Sequence, residues 1–220
     1  MTRSIMLQGK AYAYTIQYKS MHSISIRVSS GQLVVSASRM TPISMIEKLI
    51  REHEDKLLAA MNAYEPYMVL EENGYIDLYG QRYALAFRNI GRKQCALHET
   101  TLFVYGANRE NAVEAYMKET LHDYIEEKVI SYLVHDFDLP MPRIDVRHYK
   151  GRWGSCFYKN NRISFNISLI HLEKRLIDYV ILHELCHFLE ANHSHDFYHE
   201  MEVRMPDYKQ RRKELKEKHV

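Results

Sequence analysis

The sequence has few cysteines, glycines and prolines and no long apolar run. Only 3 Cys, 8 Gly and 5 Pro occur among 220 residues, which excludes collagen-like and low-complexity chains and argues against a disulfide framework. No segment reaches the ~18 apolar residues that a membrane span needs, and the first ten residues lack the apolar core of a secretory signal. The net charge of +2 gives no reason to expect wholesale binding to nucleic acid or membrane. We therefore expect a cytoplasmic globular protein with reduced thiols and no membrane partner.

The first half of the chain is predicted to be strand-rich. Residues 11–38 are predicted to form strands. Apolar and polar side chains alternate from Ile24 to Val28, and a turn at Ser29-Ser30-Gly31 leads to the apolar run Leu33-Val34-Val35, as in a hairpin. A helix is predicted from about Pro42 to Tyr64, because apolar side chains recur there at helical spacing. Short strands follow up to about residue 105.

The composition changes near residue 108, where a helix-rich second half begins. We predict a long helix from about Glu110 to His135, two strands at residues 144–149 and 162–166, and helices from about Lys174 onward. The sequence thus predicts an α+β fold with a mixed strand and helix region at 1–108 and a second domain at 109–220. It contains no internal repeat.

The abundant residue is histidine, and its distribution is uneven. The chain has 13 histidines, five of them between His183 and His199. His183 and His187 are four residues apart, so on a helix both rings lie on one face and can bind one ion at zinc–nitrogen distances of about 2.0–2.1 Å. Glu184 is placed to take a proton from a metal-bound water. This HExxH pattern predicts a site for Zn²⁺, or for another divalent ion, with Glu184 as the general base.

A catalytic zinc requires a third protein ligand, and His193 is the first candidate. Asn192 favours the end of one helix and Ser194 the start of the next, so His193 is predicted to lie in a tight connection between them. His195 and Glu190 are the alternative third ligands.

Three neighbouring residues have non-catalytic interpretations. By helical spacing Cys186 lies away from the ligand face and is interpreted as a buried, inert thiol. Trp153 is interpreted as part of the core or of a pocket wall. Gly154 is predicted to serve a tight turn.

Several separated motifs resemble the YgjP-like metallopeptidase family, which is related to SprT-like and WLM-type zinc proteins. The motifs lie mainly between residues 110 and 210 and are Arg152-Trp-Gly-Ser-Cys156, Ile163 to Leu169, His183-Glu-Leu-Cys-His187, Asn192-His-Ser194 with Phe197, and Pro206-Asp-Tyr208. The resemblance implies a minimal gluzincin-like zinc hydrolase domain in the second half of the chain. Zinc would be bound by His183, His187 and His193, and Glu184 would be the catalytic base. The family's His-Ser-x-x-Phe context favours His193 over His195.

The motifs leave the hydrolysed bond open. Residues 146–172 contain no Asp or Glu but five cations, namely Arg147, Lys150, Arg152, Lys159 and Arg162. Guanidinium groups suit an anionic substrate, although a solvated basic loop is an equal alternative. The candidates for binding the substrate or stabilising an oxyanion are Arg152, Tyr149, Arg147, His195, Tyr198 and His199.

Three functions fit these observations. The favoured one is a zinc peptidase that acts on a peptide or protein, and the second is a metal-dependent phosphohydrolase that converts a nucleoside triphosphate to the monophosphate. The third is a non-catalytic metal-binding module. Residues 204–220 contain seven Lys or Arg and three acidic residues; we interpret them as a solvated helix face, with nucleic-acid tethering as a less favoured alternative.

Overall fold

The computed structural model describes residues 1–91 and 94–218, and its contacts divide the chain into two compact units, Met1–Pro66 and Tyr67–Val220. The composition change instead predicts a boundary near residue 108. Between these two boundary positions, residues 67 and 108, lies a five-stranded sheet. Its buried Leu85 and Leu102 share a core with Val113 of the following helix. The change in composition marks the start of a long helix and not the start of a new core.

The first unit is a four-stranded sheet with two helices. Its elements are β1 (Thr2–Leu7), β2 (Lys10–Tyr18), β3 (Ser25–Ser29), β4 (Gln32–Ala37), α1 (Ile43–Glu52) and α2 (Glu54–Asn62). The strand order is β1-β2-β4-β3, with the central pair parallel and the outer pairs antiparallel. The predicted β3–β4 hairpin is confirmed. The predicted single helix is interrupted at His53, whose backbone (φ −115°, ψ 17°) leaves the helical region.

In its described residues, 67–91 and 94–218, the second unit contains two sheets and four α-helices. The five-stranded sheet, ordered β5-β6-β7-β9-β8, is formed by β5 (Met68–Val69), β6 (Tyr75–Leu78), β7 (Gln81–Arg88), β8 (Gln94–His98) and β9 (Thr101–Tyr105). The three-stranded sheet, ordered β10-β12-β11, is formed by β10 (Arg143–Arg147), β11 (Gly154–Phe157) and β12 (Arg162–Asn166). The helices are α3 (Arg109–His135), α4 (Lys174–Cys186), α5 (His195–Arg204) and α6 (Tyr208–Glu217).

The two larger sheets share one topology. Strands β6-β7-β9-β8 repeat the order and polarity of β1-β2-β4-β3, with an antiparallel hairpin on each side of a parallel central pair. The two-residue turns Gln8-Gly9, Ser30-Gly31 and Tyr79-Gly80 have positive φ at both positions, as a type I′ hairpin turn requires. The four-stranded arrangement is therefore repeated in the structure although the sequence contains no repeat. This topology depends on strand pattern and turn chemistry more than on residue identity.

The core of the second unit surrounds α3 and α4. On α3 the buried side chains recur every four residues, at Val113, Met117, Leu121, Ile125 and Val129, as predicted for one helix face. Helix α4 packs against α3, α5, α6 and the edge strand β11. These contacts hold the end of α4, which carries the HExxH pattern, between β11 on one side and the last two helices on the other.

The sequence predicts neither a membrane span nor a disulfide framework, and the structure bears on both points. Within residues 1–91 and 94–218, no helix is long and apolar enough to cross a membrane. Cys95, Cys156 and Cys186 are all free thiols. Cys186 is fully buried, and burial raises its pKa to about 12, which agrees with its interpretation as an inert thiol.

Candidate metal centre

Three histidines converge at the end of α4. One ring nitrogen from each of His183, His187 and His193 lies within 4.8 Å of the other two, and the Nε2 atoms of His183 and His193 are 3.0 Å apart. The neighbouring ring planes of His183 and His187 are nearly perpendicular (89°). The structure thus brings together the three residues that the sequence predicts as ligands.

The local backbone explains why His193 reaches the other two rings. Helix α4 ends at Cys186, earlier than the predicted Glu190, because its last turn is tightened by i to i+3 hydrogen bonds such as Phe188 N–H to the Leu185 carbonyl (3.0 Å). Ser194 then caps α5 by accepting the Phe197 N–H (3.2 Å), as predicted. The chain therefore reverses direction within a few residues and returns His193 to the face of α4.

Phe197 forms the floor of the histidine cluster. It is fully buried, and its ring centroid lies 5.0, 4.7 and 4.9 Å from those of His183, His187 and His193. The Phe197 ring contacts all three imidazole rings and limits their movement, but it offers them no hydrogen-bond partner. The ring nitrogens are consequently directed at one another.

Burial disfavours the charged form of two of the three histidines. It lowers the pKa of His183 to about 3 and also lowers the pKa of His193. Neutral imidazoles are the form that binds a metal, so burial favours the ligand form of these two side chains.

Hydrogen bonding indicates which nitrogen of His187 faces the cluster. Its Nδ1 lies 3.1 Å from the main-chain carbonyl of Glu190, so this nitrogen carries the proton and leaves Nε2 with a free lone pair. The carboxylate of Glu190 is not part of the cluster. Glu190 contributes only its main-chain carbonyl, which accepts the hydrogen bond from His187. Near the cluster, the buried Nδ1 of His183 has no hydrogen-bond partner.

These features fit a divalent cation. Three imidazole nitrogen donors with no carboxylate among them are the donor set of a catalytic Zn²⁺ site, which leaves one coordination position open. Two ring nitrogens only 3.0 Å apart also require a shared proton or cation between them, because their lone pairs otherwise repel each other.

Glu184 lies beside the cluster and is 5% exposed. Burial raises the pKa of its carboxyl to about 8, while a hydrogen bond from the Cys156 N–H and the charge of Arg152 oppose that shift. The carboxylate is therefore held by β11 and not by α4 alone. A carboxylate with a raised pKa is a stronger base than an exposed one.

Gly154 gives Glu184 the space it occupies. A Cβ built on Gly154 would lie 2.5 Å from Oε1 of Glu184 and 2.8 Å from its Cγ. The prediction of a tight turn here is wrong, because Gly154 begins strand β11 and its φ is not positive. The residue is glycine since the strand passes too close to the carboxylate for any side chain.

A cavity of about 300 Å³ opens next to Glu184. It has an apolar wall and a cationic rim, and its lining residues are Arg152, Trp153, Gly154, Tyr179, Val180, His183, Glu184, Arg212, Leu215 and Lys216. Because both Glu184 and His183 belong to the lining, the cavity adjoins the position at which a metal-dependent reaction would occur. Trp153 is a wall residue, in agreement with its interpretation from the sequence.

The structure places only some of the predicted substrate-binding residues at this cavity. Arg152 lines it, and Tyr198 stacks near His193 with a centroid distance of 6.3 Å. His195 is 94% exposed and lies 3.6 Å from Asp196. The exposed His199 is also absent from the lining.

The basic segment contributes less to the site than its charge suggests. Arg147 and Arg162 both face Asp145, at 3.0 and 3.8 Å, so an acidic residue just outside the segment compensates them. Tyr149 contributes its main-chain carbonyl, which accepts a 3.1 Å hydrogen bond from the Asn166 side chain. Of the five cations in the segment, Arg152 is the one that reaches the cavity.

Asn166 organises the loop that carries Arg152. Its buried side-chain amide donates to the carbonyls of Tyr149 and Arg152 (3.1 and 3.0 Å) and accepts the Ser168 N–H (3.1 Å). Its main-chain N–H donates to the Trp153 carbonyl (2.8 Å). Asn166 thereby fixes residues 149–153 against β12.

Sequence reasoning missed three cavity residues on α6, the apolar Leu215 and two cations. Arg212 and Lys216 are four residues apart and share the helix face that lines the cavity. The sequence predicts only a solvated basic face for this helix, and no local signal distinguishes these two cations from their neighbours.

Known proteins provide a structural match and a family match for this chain. No curated protein matches the chain in sequence. The crystal structure of the metallopeptidase zymogen of Pyrococcus abyssi abylysin aligns with 46% of this chain and 90% of its own, at 20% identity and a TM-score of 0.34. The family model of the YgjP-like metallopeptidase domain matches residues 22–218. The match spans nearly the whole chain and confirms the resemblance inferred from the motifs, so the protein belongs to the YgjP-like metallopeptidase family.

Proposed function

We propose that this chain is a zinc-dependent peptidase in which His183, His187 and His193 hold the metal and Glu184 is the general base. The observation that carries the proposal is the cluster of three imidazoles, one of which, His183, lines a cavity together with the buried carboxylate of Glu184. This donor set, with Glu184 adjacent to the first ligand, is the arrangement that metal-assisted hydrolysis requires.

The residues of the chain have separable tasks in this reaction. His183, His187 and His193 would hold a divalent cation, which would supply Lewis-acid polarisation of the scissile carbonyl and lower the pKa of water. Glu184 takes the proton of the attacking water and returns it to the leaving amine. The Cys156 N–H orients the carboxylate, and Arg152 favours its ionised form.

An extended peptide has a place to bind beside these groups. Gly154 lines the cavity and lies on β11, the edge strand of its sheet. Main-chain groups on an edge strand can pair with an extended substrate. This supports a peptide in preference to a compact small molecule.

The cationic rim favours one alternative, a metal-dependent nucleotide phosphohydrolase. Arg152, Arg212 and Lys216 all line the cavity, and guanidinium and ammonium groups bind phosphate as well as carboxylate. The same metal and carboxylate would serve a phosphoanhydride.

One experiment decides between these functions. The purified protein is incubated, with and without chelator, with unstructured polypeptides and with nucleoside triphosphates, and products are identified by mass spectrometry. We expect chelator-sensitive peptide products that Glu184→Gln abolishes although it retains metal, whereas His187→Ala loses both metal and turnover. Pyrophosphate and nucleoside monophosphate, without peptide products, would overturn the peptidase proposal.

A further inference from the structure

The cavity beside Glu184 has an unbalanced charge at its rim. Arg152, Arg212 and Lys216 line it, and within residues 1–91 and 94–218 no acidic side chain forms an ion pair with any of them. The acidic residue in the lining is Glu184, which the proposed reaction uses. A cavity with three cations and no structural counter-ion is arranged for an anion that arrives with the substrate.

Two other cations of the same helix form ion pairs. Lys209 pairs with Glu202 (2.9 Å), and Arg211 pairs with Asp207 (2.9 Å). Arg212 instead packs against an aromatic ring, with its guanidinium carbon 5.1 Å from the Tyr198 centroid. The ring contacts the Arg212 side chain while leaving its N–H donors available, so the charge of Arg212 can act in the cavity.

The dimensions and walls of the cavity limit the size of that anion. About 300 Å³ is at the low end of the ~300–1,000 Å³ of small-molecule sites, which suits one amino-acid side chain. Trp153, Tyr179 and Leu215 supply an apolar wall for methylene groups, and the cations supply donors for a terminal carboxylate.

We propose that this cavity is a specificity pocket for an acidic side chain, Asp or Glu, at the substrate residue next to the scissile bond. Arg212 and Lys216 bind the carboxylate, and the apolar wall packs on its methylene groups. The position next to the bond follows from the lining, which contains Glu184 and His183 themselves. The inference rests on the proposed peptidase function and adds the substrate class.

The test compares matched peptides with the metal-loaded full chain. A cleaved peptide is resynthesised with Glu, Gln or Lys at each position within three residues of the bond. We expect one position at which Glu exceeds Gln in kcat/KM by about tenfold or more, as charge-assisted hydrogen bonds predict. Arg212→Gln combined with Lys216→Gln should reduce the Glu-to-Gln ratio to near one, and Arg212→Glu should favour the Lys peptide.

Lys213→Gln is the matched control, because Lys213 is exposed on the same helix and does not line the cavity. It should leave the Glu-to-Gln ratio unchanged. Peptide cleavage without an acidic preference, or a preference that survives the double variant, overturns the pocket but leaves the peptidase function standing. Hydrolysis of nucleoside triphosphates without any peptide cleavage overturns both.

Discussion

Replacing Gly154 by alanine is expected to slow the reaction without removing the metal. The added Cβ would lie 2.5 Å from Oε1 of Glu184, roughly 0.9 Å closer than the 3.4 Å at which ordinary contact begins. The clash also involves Cγ and Cδ (2.8 and 2.9 Å), so rotation of the carboxylate alone does not relieve it. Glu184 must therefore move by about 1 Å, a displacement that can cost about 100-fold in rate.

Metal binding should change little in the same variant, and the loss of stability should be limited. Overpacking costs about 1–3 kcal/mol, and a strand alanine recovers about 0.5–1 kcal/mol relative to glycine, so the free energy of unfolding should fall by at most about 2.5 kcal/mol. None of the three histidines lies among the nearest contacts of the new methyl group. The metal content should accordingly stay close to that of the wild type while kcat falls by about 100-fold.

The assay is chelator-sensitive hydrolysis of a cleaved peptide, with bound metal quantified in the same samples. Ser155→Ala is the control, because the adjacent residue of a strand points to the opposite face, and it should retain activity. Glu184→Asp, alone and combined with Gly154→Ala, completes a double-mutant cycle in which the shorter carboxylate should tolerate the methyl group better. A Gly154→Ala protein with full metal content and kcat within about twofold of the wild type would refute the argument that this contact positions the base.

Three further predictions follow from the site and its supports. His193→Ala should weaken Zn²⁺ affinity by more than about 100-fold, whereas His195→Ala should not, because the His195 side chain is 94% exposed. Competition with a chromogenic chelator measures both affinities. A larger loss in His195→Ala would assign the ligand role to His195 instead. Asn166→Ala removes three hydrogen bonds and should lower the free energy of unfolding by about 2–4 kcal/mol in urea titrations, against less than about 0.5 kcal/mol for the exposed Asn160→Ala. Burial lowers the pKa of His171 in the folded protein. The stabilisation linked to neutral His171 is therefore present above the unfolded pKa of about 6.5 and is lost as the pH falls below that value. In chelator-treated protein, His171→Phe should reduce the fall in melting temperature between pH 7.5 and 5.5, and an unchanged fall would contradict this reasoning.

Much of the site could be predicted from the sequence because its parts are close together in the chain. The spacing of His183 and His187 places both side chains on one helix face. Asn192 favours the end of one helix and Ser194 the start of the next, so the chain between them returns His193 toward that face. The cap at Ser194 forms as predicted, and His193 joins the cluster. Each of these predictions depends on helical periodicity and capping, which act within about one or two turns.

The domain boundary could not be predicted in the same way. Composition changes near residue 108, where strands give way to a long helix, but a core is defined by contacts between distant segments. The five-stranded sheet packs on α3, and this packing extends the second unit back to Tyr67. The shared topology of the two larger sheets was hidden for a related reason, since strand order is set by pairing and not by residue identity.

The sequence by itself thus indicated the residues of the candidate site, namely three histidines and an adjacent carboxylate, and the family to which the chain belongs. Only the tertiary structure decided what surrounds those residues. Gly154 meets Glu184 across 30 positions of sequence, and Arg212 reaches the same cavity from the last helix. Such contacts depend on how β11, α4 and α6 pack against one another, and no local rule of spacing or capping encodes that packing.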